Sequence, residues 1–349
     1  MILPESYITA LLVMILSMVC WGSWANTYKL SGKWRFELYY FDFALGLLLM
    51  SILLAMTLGS LGFDGFNFTD DVMHAGKRQW LLGFTGGVVF NLANMLLMAA
   101  IAVAGMAVAF PVGIGVALVM GVILNYLIKP AASPTLLFGG CLLVLAAIIV
   151  DAKAYSMLNV LRHEVLAKEG KAKSLRRPTS KKGIILSLAC GLLMGSFFPL
   201  VAKGQEGDVG LGPYSIAVFF GIGVFFSTFV FNLFFMNLPV QGEPLEFREY
   251  FQGNWKQHLL GLLGGAIWCG GGVAAFVAAS TPPQVNIGPA VSYAMGQGST
   301  LISALWGLLI WREFRGADMR IKLMLLVMLV LFGCGLTLVS LAPLYGGPR

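Results

Sequence analysis

Asn91 and Asn94 stand three residues apart inside the apolar run 80–101, so they share one face of a helix. A carboxamide in hydrocarbon is costly unless it finds a partner, and two of them offer donors and acceptors to a polar, uncharged guest. The competing role is a hydrogen bond between packed helices. Tyr293 and Gln297 repeat the theme four residues apart, with Pro289 just upstream. Proline lacks a backbone donor and frees carbonyls of the preceding turn, and Pro111 holds the matching place earlier in the chain. Trp21, Trp24 and Trp268 bring flat apolar faces on which sugars and planar heterocycles both stack, with Ser23 between the first two. Trp21, Ser23, Trp24, Asn91, Asn94, Trp268, Tyr293 and Gln297 form the expected substrate-binding set. Pro111 and Pro289 are the helix breakers beside it.

Two carboxylates lie within apolar runs rather than in loops. Asp42 is one turn into the second run and is the first candidate for ion coupling; the competing role is a helix-end aspartate paired with Lys33 or Arg35. Asp151, near the inner end of the fifth run and close to Lys153, is the second candidate. Bond-making chemistry has no support. The three histidines do not cluster, the five cysteines form no C-x-x-C pair, and no phosphate loop or H-E-x-x-H occurs. An enzyme, a metal site and a cofactor are not expected.

The elements that position these residues follow from composition. Hydrophobic residues make up 58% of the 349 and charged residues 11%, too few charges to cover a soluble protein of this size. The apolar runs are about 20 residues long, enough to cross roughly 30 Å of hydrocarbon as helix. Ten are expected: 7–27, 38–58, 80–101, 106–128, 135–154, 184–202, 214–238, 258–279, 285–311 and 321–341. A basic connection, 155–182, divides them into halves 1–154 and 183–349. Its first part, 157–168, reads as a short amphipathic helix and the rest as linker.

The halves echo each other. Leu81-Leu82-Gly83 returns as Leu259-Leu260-Gly261, Gly86-Gly87 as Gly264-Gly265 and Pro111 as Pro289, all at one spacing. Small residues at such spacing let helices approach closely. Five runs per half is an odd number, so the second half must lie inverted in the bilayer, the plan of a transporter built from inverted repeats. The net charge of +7 comes mainly from the connecting segments rather than from a nucleic-acid surface. Of the 23 Lys and Arg, all but Lys77, Arg78, Lys129, Lys203 and Arg349 fall on one side. That side is expected to be cytoplasmic, with both termini outside.

Trp21-Gly-Ser-Trp-Ala-Asn-Thr27, Tyr39-Tyr-Phe-Asp42-Phe, the paired glycine-rich hairpins and Trp306-Gly-Leu-Leu-Ile-Trp-Arg-Glu313 together resemble the drug/metabolite transporter superfamily. The likeness is to its branch of ureide permeases, glucose/ribose uptake proteins and the rhamnose–proton symporter. It implies an all-α protein of ten transmembrane helices in two inverted five-helix repeats around a central cavity. It also matches Asp42 to an acidic residue early in the second helix of ureide permeases. The expectation is an inner-membrane importer of a small neutral polar solute, a sugar first, by proton (or sodium) symport, as monomer or homodimer. The alternatives are a ureide or nucleobase permease, or an exporter.

Overall fold

A backbone in lipid must satisfy its own N–H and C=O groups, and long apolar runs do so as helices. In the computed structural model, which describes all residues except 62–66, 105, 169–180, 240–242, 283, 284, 286 and 347–349, the described residues contain helices and no strand. In chain order the helices are α1 (Tyr7–Ser23), α2 (Ala25–Leu30), α3 (Phe36–Met56), α4 (Phe68–His74) and α5 (Lys77–Ala104). Next come α6 (Met106–Ala109), α7 (Gly115–Ile128), α8 (Pro134–Lys168), α9 (Lys181–Gly204) and α10 (Pro213–Asn237). Last are α11 (Trp255–Ala279), α12 (Gly288–Gly296), α13 (Ser299–Leu305) and α14 (Met319–Leu341). Polar caps set several starts: the side chains of Ser6, Asn254 and Asp318 accept the backbone N–H three residues on.

Among the described residues nine helices are long and apolar enough to cross a bilayer. The ten expected crossings need one correction. The stretch 285–311 is not one helix but α12, α13 and a π-helical turn, Trp306–Ile310. Gly296 and Gly298 flank the break at Gln297, where glycine weakens helix continuity. A second correction concerns the connection 155–182. Its first 14 residues hold no Gly or Pro and simply prolong α8, which at 35 residues is about 50 Å long. The rest of the expected linker, up to residue 180, lies outside the described residues, as does Asn286, a polar residue expected near the start of the ninth run.

The helices pack in matched pairs. The α5–α9 contact has a counterpart in α1–α11, and α5–α10 has one in α3–α11. Likewise α7–α9 corresponds to α1 against α12 and α13. Glycine makes the central crossings possible. A Cβ on Gly87 would stand 2.1 Å from the Phe220 carbonyl oxygen, and one on Gly265 1.9 Å from that of Phe43. Reciprocally, Gly223 abuts the Phe84 carbonyl and Gly46 that of Leu262. Any side chain there would force two backbones apart. The same close approach thus occurs on α5–α10 and on α3–α11.

Candidate functional site

Where α1, α5, α9, α11 and the α12–α13 break converge, the helices leave a cavity of about 170 Å³. Its walls are Trp21, Trp24, Phe90, Phe197 and Trp268, and its polar edge is Asn94, Gln297, Ser299, Thr300 and Ser303. Five residues of the expected set therefore meet here: Trp21, Trp24, Asn94, Trp268 and Gln297.

The aromatic walls are held in place. The Trp21 and Trp268 rings stack with centroids 5.6 Å apart, and Trp21 Nε1 donates to the Trp268 carbonyl at 3.2 Å. Trp268 lies parallel to Phe220 at 5.6 Å and against Phe90 at 4.2 Å. The Trp21 indole sits in a slot made by two glycines, since a Cβ on Gly271 would come 2.7 Å from it and one on Gly296 2.5 Å. Asn94 donates through its amide nitrogen to the Tyr40 hydroxyl at 2.9 Å, which fixes the carboxamide plane. Gln297 follows the last turn of α12, and its side chain makes no hydrogen bond to a described residue. Thr300 donates to the Gln297 backbone carbonyl at 2.9 Å. The combination is flat apolar faces with two carboxamides at the rim. It can sandwich a planar guest and pair with its edge.

The remaining expected residues lie elsewhere. Asn91 is fully buried and points away to α10, where it donates to Ser227 Oγ at 2.7 Å and to Thr228 Oγ1 at 3.1 Å. Ser23 accepts from Trp306 Nε1 at 2.8 Å, so it joins α1 to the π-helical turn. Tyr293 is fully buried, with its hydroxyl on the carbonyls of Ala117 (3.1 Å) and Met194 (3.3 Å). Pro111 stands inside a π-helical turn, Phe110–Ile114, and Ile114 reaches the cavity wall. Pro289 instead opens α12, directly after Gly288 at φ 75°.

Asp42 is buried at the α3–α11 contact and does not line the cavity. It accepts from the Tyr250 hydroxyl at 2.6 Å and pairs with His258 Nδ1 at 2.8 Å. Burial, then the adjacent Asp42, pushes the Tyr250 hydroxyl above its ordinary value, so it stays a donor. A Cβ on Gly261 would stand 2.5 Å from the Asp42 Cβ. The group clasps α3, α11 and the short 3-10 helix Phe247–Gln252 together.

The cavity has unequal ends. On one side it adjoins a vestibule of about 320 Å³, and Ala25, Thr300 and Ser303 line both. The vestibule rim holds Asn26, Lys29, Asp151, Tyr155, Trp311 and Glu313. Lys29 Nζ is 2.6 Å from Glu313 Oε1, Tyr155 donates to Glu313 Oε2 at 2.9 Å, and Trp311 Nε1 donates to Asn26 at 2.6 Å. Burial pushes the Glu313 carboxyl up, but Lys29, Tyr155 and Arg162 outweigh it and hold the group below the ordinary glutamate value. On the other side Tyr293, Phe198 and Phe276 fill the space, Phe198 contacting Tyr293 at 5.4 Å and Phe276 at 5.5 Å. Beyond that plug lies a separate polar pocket at Lys129, Gln205, Ser280 and Pro289.

The sequence reading missed Phe90, Ser299, Thr300 and Ser303. The hydroxyls at 299 and 303, four apart in an apolar run, were a legible signal. The vestibule pairing of Lys29 with Glu313, 284 residues away, had none.

Comparison with known proteins bears on what such a cavity takes. The ureide permease family model matches residues 39–182. Ureide permease 1 of Arabidopsis thaliana is 23% identical over 385 residues, spanning 95% of this chain and 96% of its own. Ureide permease 4 of the same plant is 25% identical over 400 residues, with the same coverage. A solved crystal structure superposes with a TM-score of 0.58 at 16% identity, covering 95% of this chain and 96% of its own, a likeness of fold. The chain is thus similar to ureide permeases over nearly its whole length. This overturns the expectation of a sugar symporter and favours the ureide or nucleobase alternative. The indole faces that suggested a sugar serve a planar heterocycle equally well.

Proposed function

We propose that this chain is a membrane permease for a ureide or nucleobase-type heterocycle, neutral and planar, bound in the cavity between Trp21, Trp268 and Asn94. One observation carries the reading: flat indole walls meet two carboxamide side chains at one rim. A ureide or nucleobase edge alternates N–H and C=O groups in a plane, and a carboxamide offers both complements in a plane. Stacking of a planar base on an aromatic face contributes roughly 1–3 kcal/mol per base. A sugar would need a shell of hydroxyl partners, and this cavity is mostly apolar wall.

The carrier crosses the membrane ten times, the ninth crossing being α12 with α13, in two inverted halves of five. The matched helix pairs and the reciprocal glycine contacts support this arrangement. It sits in a bacterial inner membrane with both termini outside, supported by the bias of Lys and Arg to one side. In that orientation the vestibule opens to the cytoplasm and the Tyr293 plug closes the outer face.

The test is uptake by proteoliposomes of purified protein, with labelled allantoin and uracil compared against glucose. The heterocycles are expected to enter and glucose not to, and Asn94→Ala to abolish entry. Glucose uptake that excess uracil does not reduce would sink the proposal.

A further inference from the structure

One buried polar atom in the vestibule has no use in the arrangement described so far. Asp151 Oδ1, on α8, is buried and has no hydrogen-bond partner among the described residues. Asp151 lines the vestibule beside the residues shared with the cavity. Buried polar atoms are nearly always paired, so an orphan at a cavity wall marks a place for a guest's donor. The neighbouring groups do not supply one. Lys29 is engaged by Glu313 at 2.6 Å, and Tyr155, one turn along α8, spends its hydroxyl on Glu313 at 2.9 Å. Lys153 is exposed and does not line the vestibule.

We propose that Asp151 makes the vestibule a second binding station, where its carboxylate accepts an N–H of the heterocycle on its way between the cavity and the membrane face. The inference rests on the heterocycle reading above. The guest is an N–H donor rather than a metal cation because of what surrounds the oxygen. Hard cations need six or more oxygens closing round them, whereas among the described residues no group of three or more acidic, His or Cys side chains gathers here, and the Glu313 carboxylate on the rim is already held by Lys29 and Tyr155. Trp306 Nε1 is taken by Ser23 at 2.8 Å, so Trp306 offers its flat face and not its donor. Ser303 Oγ donates to the Gly22 carbonyl at 3.0 Å, which leaves its oxygen able to accept, and it lines both spaces. A flat face, hydroxyl acceptors and one carboxylate oxygen repeat the chemistry of the cavity in a wider, charged form. Thr300 and Ser303 belong to both spaces, so a guest can pass between them without leaving polar contact.

The experiment titrates the full-length purified protein with uracil and with 1,3-dimethyluracil, which has the same ring and no N–H, following tryptophan fluorescence. Wild type is expected to prefer uracil. Asp151→Asn, which keeps an acceptor oxygen, should narrow that preference modestly, and Asp151→Ala should narrow it about fivefold or more. Asn94→Ala serves as the control that alters the cavity alone. If both Asp151 variants weaken the two ligands equally, or leave the ratio unmoved, Asp151 is structural and the station is refuted. If sodium or acid changes the variants' binding while the ratio stays, the carboxylate serves a cation and the station is again refuted. Failure of wild type to bind uracil or allantoin at all would instead strike the heterocycle reading itself, and the station with it.

Discussion

Asn94 donates to the Tyr40 hydroxyl at 2.9 Å while lining the cavity, whereas Asn91, three residues earlier, spends its amide nitrogen on Ser227 and Thr228 of α10. One asparagine therefore faces the cavity while tied to α3, and the other faces α10. Asn91→Ala is expected to lower stability by about 1 kcal/mol, the scale of hydrogen bonds between membrane helices, and to change ligand affinity less than twofold. Asn94→Ala should lower affinity at least about tenfold, the scale of one charge-free hydrogen bond lost in a dry site, with a small change in melting temperature. Melting in detergent and fluorescence titration separate the two.

The Tyr293 hydroxyl joins α12 to the carbonyls of Ala117 on α7 and Met194 on α9, at the closed end of the cavity. Tyr293→Phe keeps the plug's bulk and removes the tie. The population open at this end should rise about threefold to tenfold, corresponding to roughly 0.6–1.4 kcal/mol. A cysteine placed at Ser280, in a background without the native cysteines, should then react faster with an impermeant thiol reagent. An unchanged labelling rate would show that the ring alone forms the seal.

Asp42 meets His258 and Tyr250 away from the cavity. As a clasp, it should matter for stability more than for binding. Asp42→Asn is expected to cost about 1.5–3 kcal/mol, the range for hydrogen bonds to a charged group, with the dissociation constant for uracil within twofold of wild type. A normal melting temperature combined with loss of transport would instead return Asp42 to a coupling role.

Glu313 supplies a pH dependence. Its folded-state value is lowered, so the stability it contributes is complete above the ordinary glutamate value of about 4.3. That contribution is lost as pH falls through the lowered value. Melting followed from neutral pH to strongly acidic pH should show a step in this window for wild type. Glu313→Gln should flatten that step. A step of the same size in the variant would assign it to other carboxylates.

Much of the fold was legible because lipid leaves a backbone few choices. The ends of α3, α9, α10 and α14 fall within about three residues of the apolar runs. The break in the ninth expected run was less visible, since Gly296-Gln297-Gly298 is short and the run on either side keeps enough apolar residues to read as one span. Site residues were legible as types, not directions. A spacing of three places Asn91 and Asn94 about 60° apart round a helix. That angle is enough to send one to α10 and the other into the cavity. Tyr293 and Gln297 diverge for a different reason: α12 ends at Gly296, so Gln297 leaves the helical path that buries Tyr293. Cargo was not legible, because stacking surfaces do not distinguish a sugar from a flat ring.

The interruption at Gln297 has a mechanical meaning. α12 carries Tyr293 of the plug and α13 carries Thr300 and Ser303 of the vestibule wall, so in the proposed permease the junction would be a joint between the two doors of the passage. Its one polar side chain reaches into the chamber. A guest that gripped Gln297 would hold the axle, and filling the chamber and setting the angle between the doors would then be a single event.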